Sequence, residues 1–191
     1  MMYSLTVATP PATEPVSLTE LAQHLHLNTH DEDQQLPQFI CAARQQFEFL
    51  TEGRTVLPTT FRLNLTDWCH PMSLSVGNVS EVTSVSYYDE EDQPQELEGF
   101  LTDLTGCPSL VWLADLDYPA LSPKRFRPIT VEFVAGWASV SSVPADVKLA
   151  IKQLAAHYFN VREAFGEVDY KEVPVGFTHF CSKYKTGLGS F

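Results

Sequence analysis

Histidines and carboxylates near residue 30 form the only metal-like cluster in the sequence. The group consists of His24, His26, His30, Asp31 and Asp33. Residues two positions apart on a helix point about 200° from each other, so the first two histidines do not face one ion if this segment is helical. Exposed histidines beside a helix end are therefore the better interpretation. We predict that the chain holds no metal and no cofactor.

The other titratable residues lack the spacing of a catalytic motif. His157 lies among apolar residues of a helical pattern and is interpreted as a core histidine rather than a base. The acidic run 89–92 lacks the glycine and the spacing of a calcium loop, so it predicts a solvated turn. We predict no enzyme, and the alternative is a small cofactor-free α+β enzyme that uses Asp103, Asp115 or His70.

Lys124, Arg125 and Arg127 form the one dense basic cluster, with Phe126 inside it. An aromatic residue among cations is one pattern of a nucleic-acid contact. A loop that meets an acidic patch of a neighbouring subunit explains the same residues at least as well. The three cations are therefore a possible loop contact with a partner.

Three helices are predicted from apolar residues that recur at helical spacing. Ser17 and Glu20 have the spacing of a capping box, which predicts a short first helix ending near Leu27. The second helix is predicted over 33–53, where acidic residues begin the segment and a glycine ends it. The third is predicted over 143–166.

The apolar period changes to two between the second and the third predicted helix. Residues 59–65 alternate between apolar and polar side chains, as a half-buried strand does. Similar runs follow at 72–76, 79–88, 110–114 and 129–134. These runs predict an antiparallel β unit and leave its strand order open.

The order of these elements predicts an α+β fold. It is a small helical bundle, of two N-terminal helices and one C-terminal helix, with an antiparallel β insertion and extended N- and C-terminal arms. The expected division is an N-terminal arm with helices over 1–54, the β insertion over 55–135, the C-terminal helix over 136–172 and a tail over 173–191.

The charge of the 191-residue chain limits its function. It has 24 acidic and 12 basic residues and a formal net charge of −12; residues 1–100 hold 15 acids and 3 bases, and residues 101–191 hold nine of each. Such a surface repels phosphate, which argues against gripping nucleic acid or binding acidic membranes. No run approaches the roughly 20 apolar residues of a membrane span. Four widely spaced cysteines predict free thiols in a reducing compartment.

An ordered set of short segments extends over nearly the full chain. It runs from the prolines and capping box of 9–20 through 31–54, the strand 131–137 that ends in Ala-Gly-Trp, the helix 143–163 and the start of the tail, 173–177. In this order the segments resemble the tailed-phage head–tail connector family, the adaptor or head-completion proteins of siphophages and prophages.

The resemblance implies a structural virion protein rather than an enzyme. Such a protein docks below the portal protein as a homo-oligomeric ring, usually of twelve copies, extends the DNA channel and receives the stopper or tail protein. DNA would pass through without sequence-specific binding, and acids of residues 1–100 are expected on the channel surface or rim. The expected location is the head–tail junction of the virion, and the host cytoplasm during assembly.

Residue roles follow from the same resemblance. The tail would dock on the portal through Val173, Pro174, Gly176, Phe177 and Tyr184. The residues implied for pairing within or between subunits are Arg44, Arg162 and Glu163. A monomeric peptide-binding adaptor is a further alternative.

Overall fold

The chain forms four helices and eight strands within the residues that the computed structural model describes, which are 2–27, 34–115, 117–161 and 175–188. The helices are α1 (Leu18–His24), α2 (Leu36–Leu50), α3 (Ala145–Asn160) and α4 (Val175–Lys183), and a 3₁₀ turn lies at Val140–Ser142. The strands are β1 (Tyr3–Thr9), β2 (Thr59–Leu65), β3 (Met72–Leu74), β4 (Val79–Tyr88), β5 (Pro94–Glu96), β6 (Phe100–Asp103), β7 (Ser109–Leu113) and β8 (Ile129–Ala135). The predicted α+β class is confirmed.

Helices α2 and α3 pack on each other and build one of two hydrophobic cores. Phe47 of α2 and Leu154 of α3 are fully buried, as the apolar stripes of the sequence predict. Pro37 lies in the first turn of α2, where its missing N–H leaves no helical hydrogen bond unmade. None of the helices in the described ranges is both long and apolar enough to span a bilayer.

Helix α1 begins with the predicted capping box. The Ser17 hydroxyl accepts a hydrogen bond from the Glu20 amide at 3.2 Å, and the Glu20 carboxylate accepts one from the Ser17 amide at 2.8 Å. The Ser17 amide and the Ser17 hydroxyl both donate to this carboxylate, and these two bonds lower the pKa of Glu20. The helix ends at His24 rather than near Leu27, because His26 adopts a left-handed φ of 54° that no α-helix continues.

The described part of the predicted C-terminal arm is helical. Helix α4 packs against α2 and α3, and its Phe177 and Cys181 are buried in the helical core. These two residues are four apart, so they share one face of the helix. The prediction of an extended arm is wrong for Val175–Lys183, because this apolar face gains more from burial than the glycine in it costs.

Two antiparallel sheets form the β unit. The larger has the strand order β1-β2-β8-β4-β5, and the smaller has the order β3-β7-β6. Their shared core includes Val131 and Phe133 of β8, and the Phe61 ring of β2 stacks on Phe133 with ring centres 5.6 Å apart. The predicted strands over 59–65 and 79–88 have the observed bounds.

The N-terminal segment is extended, as predicted, but it is not a free arm. It forms the edge strand β1, which pairs with β2 from Tyr3 opposite Leu65 to Val7 opposite Phe61. Strand β1 therefore brings the first residues of the chain beside the first residues of the β unit. The prediction also missed the short strands β5 and β6.

Gly136 lies where β8 leaves the sheet and the chain turns toward the helices. Its φ is +120°, and a methyl group there would lie 2.3 Å from the carbonyl carbon and oxygen of Leu57. The Gly136 amide donates to the Asn78 carbonyl at 2.9 Å. Only glycine allows the backbones of the two cores to approach this closely.

Candidate functional site

A groove of about 420 Å³ opens between the edge strand β1 and helix α2. Leu5 and Val7 line it from the strand, Pro10 and Pro11 from the segment that follows, and Phe49 from the helix. Its surface is mostly apolar, and its volume lies within the range of protein binding pockets.

The rim of this groove is exposed. Val7 and Phe49 are 55% and 52% exposed, which places them among the most exposed large apolar side chains of the described residues. A contiguous apolar surface of this kind indicates contact with another molecule. We call it the β1–α2 groove.

Arg44 and Glu48 line the β1–α2 groove, and Arg44 also pairs with Glu14, which completes an ion triad. Arg44 Nε donates to Glu14 Oε2 at 2.8 Å and Nη1 donates to Glu48 Oε2 at 2.9 Å. The second oxygen of Glu48 accepts the Val56 amide at 3.0 Å. The triad thus ties α2 to the segment before α1 and to the segment before β2, which positions both walls of the groove.

Burial and ion pairing have opposing effects on the pKa values of Glu48 and Arg44. Burial raises the pKa of Glu48, and the attraction of Arg44 opposes this shift without cancelling it. Burial also works to lower the pKa of Arg44, but the hydrogen bond to Glu14 and the nearby carboxylates together raise it. With all three groups ionised, the triad carries one surplus negative charge.

Arg44, which was implied to pair within or between subunits, pairs within its own chain. The residue is 6% exposed, and its guanidinium is satisfied by Glu14 and Glu48. Arg162 and Glu163, the other two residues predicted to pair, lie outside the described residues.

The basic loop 124–127 lies at the other edge of the larger sheet. Arg125 Nε donates to Asp92 Oδ1 at 2.7 Å, and its guanidinium lies 3.4 Å from the ring centre of Tyr88. The hydrogen bonds from Arg125 and Ser122 lower the pKa of Asp92. Arg125 therefore holds the loop against the β4–β5 turn.

The rest of the basic loop points outward. Phe126 is 66% exposed, the highest value among the large apolar residues of the described chain. Lys124 is exposed and forms no ion pair within the described ranges. Arg127 Nε is buried without a hydrogen-bond partner there, and its guanidinium lies 5.6 Å from the Phe126 ring.

Residues 184–188, which we call the C-terminal strap, follow α4 and cross the end of α2. The Tyr184 carbonyl accepts Arg54 Nε at 2.6 Å. Glu52 accepts Lys185 Nζ at 3.1 Å and the Gly187 amide at 3.0 Å. The strap thereby fixes the end of the described chain to the junction between α2 and β2.

A second set of bonds connects α4 to the start of α3. The Asp146 carboxylate accepts Lys183 Nζ at 2.5 Å and the Tyr184 hydroxyl at 2.7 Å. The hydrogen bond from Lys183, with that from Tyr184, lowers the pKa of Asp146. The same carboxylate raises the pKa of Lys183.

The residues predicted to dock on a portal are divided by the structure. Gly176 is exposed near the start of α4, whereas Phe177 is fully buried and Tyr184 is half-buried. Tyr184 packs against Trp137, with ring centres 6.2 Å apart. Val173 and Pro174 lie outside the described residues.

The alternative catalytic residues do not line the β1–α2 groove. Asp103 is exposed and accepts two bonds from Thr105, which lower its pKa, opposite to the raised pKa of a general acid at neutral pH. Asp115 is exposed, and His70 Nδ1 lies 3.3 Å from the Tyr118 hydroxyl. These contacts build loops rather than a catalytic site.

The histidine cluster is only partly described. His24 and His26 are exposed at the end of α1, as their interpretation predicted, and His30, Asp31 and Asp33 lie outside the described residues. No three metal-ligating side chains converge among the residues that are described.

The expectation of an extended N-terminal arm does not predict the groove. Tyr3, Leu5 and Val7 alternate with polar residues, which is the period of a strand and the signal for β1 in the sequence. The groove is lined by β1 and by α2, about 40 positions further along the chain, so spacing within one segment does not reveal it.

Three solved structures share this fold over nearly the whole chain. A chain from a "virion of native gene transfer agent (GTA) particle" gives a TM-score of 0.77 at 23% identity, covering 95% of each chain. A chain from the "neck of empty GTA particle computed with C6 symmetry" gives 0.75 at 23% identity, covering 97% of this chain and 96% of that one. The "neck of native GTA particle computed with C12 symmetry" gives 0.69 at 25% identity, with coverage of 97% and 96%. No family model and no curated protein matches the sequence.

Proposed function

We propose that this chain is a head–tail connector of a phage-like particle, a structural virion protein with no catalytic role. The observation that carries the proposal is the fold shared with one chain of a GTA virion and two chains of GTA necks, over at least 95% of each chain. The order of short segments that resembles connector proteins supports the same function independently of the fold.

In this proposal the chain forms a closed ring of about twelve copies, in keeping with the C12 symmetry of one related neck. The ring binds the portal protein on one side and the stopper or tail protein on the other. It joins the particle from the host cytoplasm during assembly and remains at the head–tail junction of the virion.

The charge of the chain fits a DNA conduit. Like charge on a channel wall removes attractive sites for the phosphate backbone, so DNA slides without being held. Glu90, Glu91, Glu96 and Glu98 are exposed on the hairpin of β4 and β5 and are proposed to face the channel or its rim. DNA then passes without sequence-specific binding.

The tail is proposed to dock on the portal. Val173, Pro174 and Gly176 are the proposed contacts near the start of α4, while Phe177 and Tyr184 act by holding α4 on the body. Gly176→Arg should fold, because no atom of the described residues lies within 4 Å of the added Cβ. We expect it to weaken portal binding at least tenfold, whereas Ser182→Arg, at an exposed position elsewhere on α4, does not.

Subunit pairing is proposed for Arg162 and Glu163, and for Arg44 only through the groove that its triad shapes. The possible loop contact through Lys124, Arg125 and Arg127 is proposed to be made between copies rather than with nucleic acid. The net charge of −12 disfavours nucleic acid as the partner of this loop.

The direct experiment is negative-stain electron microscopy of the purified chain mixed with the portal protein of the same particle, supported by light scattering. We expect rings of about a dozen copies on the portal. A chain that remains monomeric and unattached when portal is in excess would contradict the proposal.

A second candidate function is a monomeric peptide-binding adaptor, which the exposed β1–α2 groove favours. The two functions differ in stoichiometry, because an adaptor binds its partner one to one. The same light-scattering measurement therefore separates them.

A further inference from the structure

We propose that the β1–α2 groove receives Phe126 and its basic neighbours from the next copy of this chain. The inference rests on the proposed ring and names its subunit contact. The groove is the acceptor surface, and the basic loop 124–127 is the inserted surface.

The apolar surfaces match. Phe126, at 66% exposed, has the largest exposed fraction among large apolar side chains of the described residues, and the groove rim supplies Val7 and Phe49 at 55% and 52%. Burying an aromatic ring between two such side chains removes apolar area from water on both partners. A groove of about 420 Å³ holds one aromatic side chain together with part of a neighbouring one.

The charges match as well. Arg44 and Glu48 line the groove and Glu14 pairs with Arg44, so two carboxylates share one guanidinium. The loop brings Lys124, which is exposed and has no ion pair within the described ranges. A cation placed at the groove mouth compensates the surplus negative charge of the triad.

The loop is held in a defined shape before it binds. Arg125 donates to Asp92 at 2.7 Å and its guanidinium lies over the Tyr88 ring at 3.4 Å, so the backbone of the loop is tied to the sheet. The adjacent Phe126 then projects without further ordering. Preorganisation of this kind lowers the entropy cost of association.

The two surfaces lie at opposite edges of one sheet. Strand β1 is one edge of the order β1-β2-β8-β4-β5, and the loop is bound to the turn between β4 and β5 at the other edge. Four strand spacings of about 4.8 Å separate the edges. Complementary surfaces on opposite sides of a chain give a head-to-tail interface, which is the type that closes into rings.

The test is sedimentation equilibrium of the purified full chain up to about 0.5 mM, together with two complementary variants. Phe126→Asp removes the inserted ring, and Phe49→Glu removes a wall of the groove; both residues are exposed, so both variants should fold. We expect the average mass of the wild type to at least double and each variant to remain monomeric.

Mixing the two variants distinguishes a head-to-tail contact from any other. Each retains one intact half of the interface, so a one-to-one mixture should form heterodimers that do not grow further.

Leu101→Asp, at a 46% exposed apolar residue of the smaller sheet, is the matched control and should associate like the wild type. A weak contact is captured by mixing Phe49→Cys and Phe126→Cys with the oxidant diamide, both in a Cys107→Ser background because Cys107 is an exposed native thiol; the mixture should form a disulfide-linked dimer.

The proposal is overturned if the wild type stays monomeric and no such disulfide forms, or if Phe126→Asp assembles on the portal with an undiminished number of copies. The second result would leave the connector function standing. Association through the groove without any binding to a portal would instead support this contact and contradict the proposed connector.

Discussion

Arg44 shows how one buried residue organises this molecule. Its guanidinium reaches Glu14, thirty residues away in the chain, and Glu48, one helical turn away. A buried ion pair is costly to break, because removing one partner leaves an uncompensated charge in a poorly solvated place. The free energy of unfolding should therefore depend strongly on Arg44.

We expect Arg44→Ala to lower the free energy of unfolding by about 3 kcal/mol, because the carboxylate of Glu48 remains buried without its cation. Urea denaturation measures the change. The matched control is Arg62→Ala, which removes an arginine paired with Glu132 across exposed faces of β2 and β8. That substitution should change stability by no more than about 1 kcal/mol, and equal effects would contradict the role given to burial.

Asp146 makes the attachment of α4 sensitive to acid. Its folded-state pKa is lowered by Lys183 and Tyr184. Its stabilising contribution is thus complete above the unfolded pKa and is lost as pH falls through the lowered, folded value. We expect the stability difference between wild type and Asp146→Asn to be constant from pH 7 to 5 and to shrink as the pH falls below about 4, the ordinary pKa of an unfolded aspartate.

The ring centre of Trp137 lies 6.2 Å from that of Tyr184, so Trp137 fluorescence reports locally on this attachment once Trp68 and Trp112 are replaced by phenylalanine. Tyr184→Phe removes only the hydroxyl and should cost about 1 kcal/mol. A stability difference that does not shrink between pH 5 and pH 2 would show that the Asp146 carboxylate does not carry the effect.

The elements of this fold differ in how well the sequence predicts them. The capping box of Ser17 and Glu20 is a local device, so its residues alone predict the start of α1. Strand β1 was interpreted as an arm because Pro10 and Pro11 follow it, although proline is compatible with the end of an edge strand. The strand exists because β2 supplies its pairing partner, and no residue within β1 identifies that partner.

The same limit applies to the candidate groove and to α4. Phe177 and Cys181 are spaced for one helical face, but Gly176 and the preceding proline indicate a tail. The Phe177 ring packs against Phe47 of α2, with ring centres 6.5 Å apart. This packing stabilises the helical conformation of the segment. Tertiary contacts of this kind override weak local preferences, and a single sequence does not show them.

Gly136 directly follows β8, where its backbone lies close to that of Leu57. In Gly136→Ala the new methyl group meets the carbonyl of Leu57 at 2.3 Å, and backbone atoms do not rotate away as a flexible side chain does. We expect the free energy of unfolding to fall by about 3 kcal/mol or more, measured by urea denaturation.

Gly99→Ala is the control for backbone strain alone. Gly99 also has a positive φ, of +74°, but nothing lies within 4 Å of an added Cβ. Its substitution should cost only about 1 kcal/mol. If the two alanine variants are equally stable, close approach is not the reason for glycine at position 136.

The charge of the molecule is unevenly distributed between the two halves of the chain. The net charge of −12 comes from residues 1–100, and the remaining residues are balanced. The inserted loop proposed for the subunit contact belongs to the balanced half, and the acceptor groove belongs mainly to the acidic half. Copies arranged head to tail would therefore alternate acidic and balanced surfaces around a ring, which limits the repulsion between neighbours.

At this scale we expect the chain not to retard duplex DNA in a gel even at about 50 mM salt, where electrostatic binding is strong. Replacing Glu90, Glu91, Glu96 and Glu98 with lysine reverses the charge of one exposed hairpin and should produce binding that weakens steeply as salt is added. The corresponding glutamine variant removes the charges without adding cations and should stay unbound, which separates loss of repulsion from gain of attraction. Salt-dependent DNA binding by the wild type would contradict the argument that an acidic wall lets DNA slide.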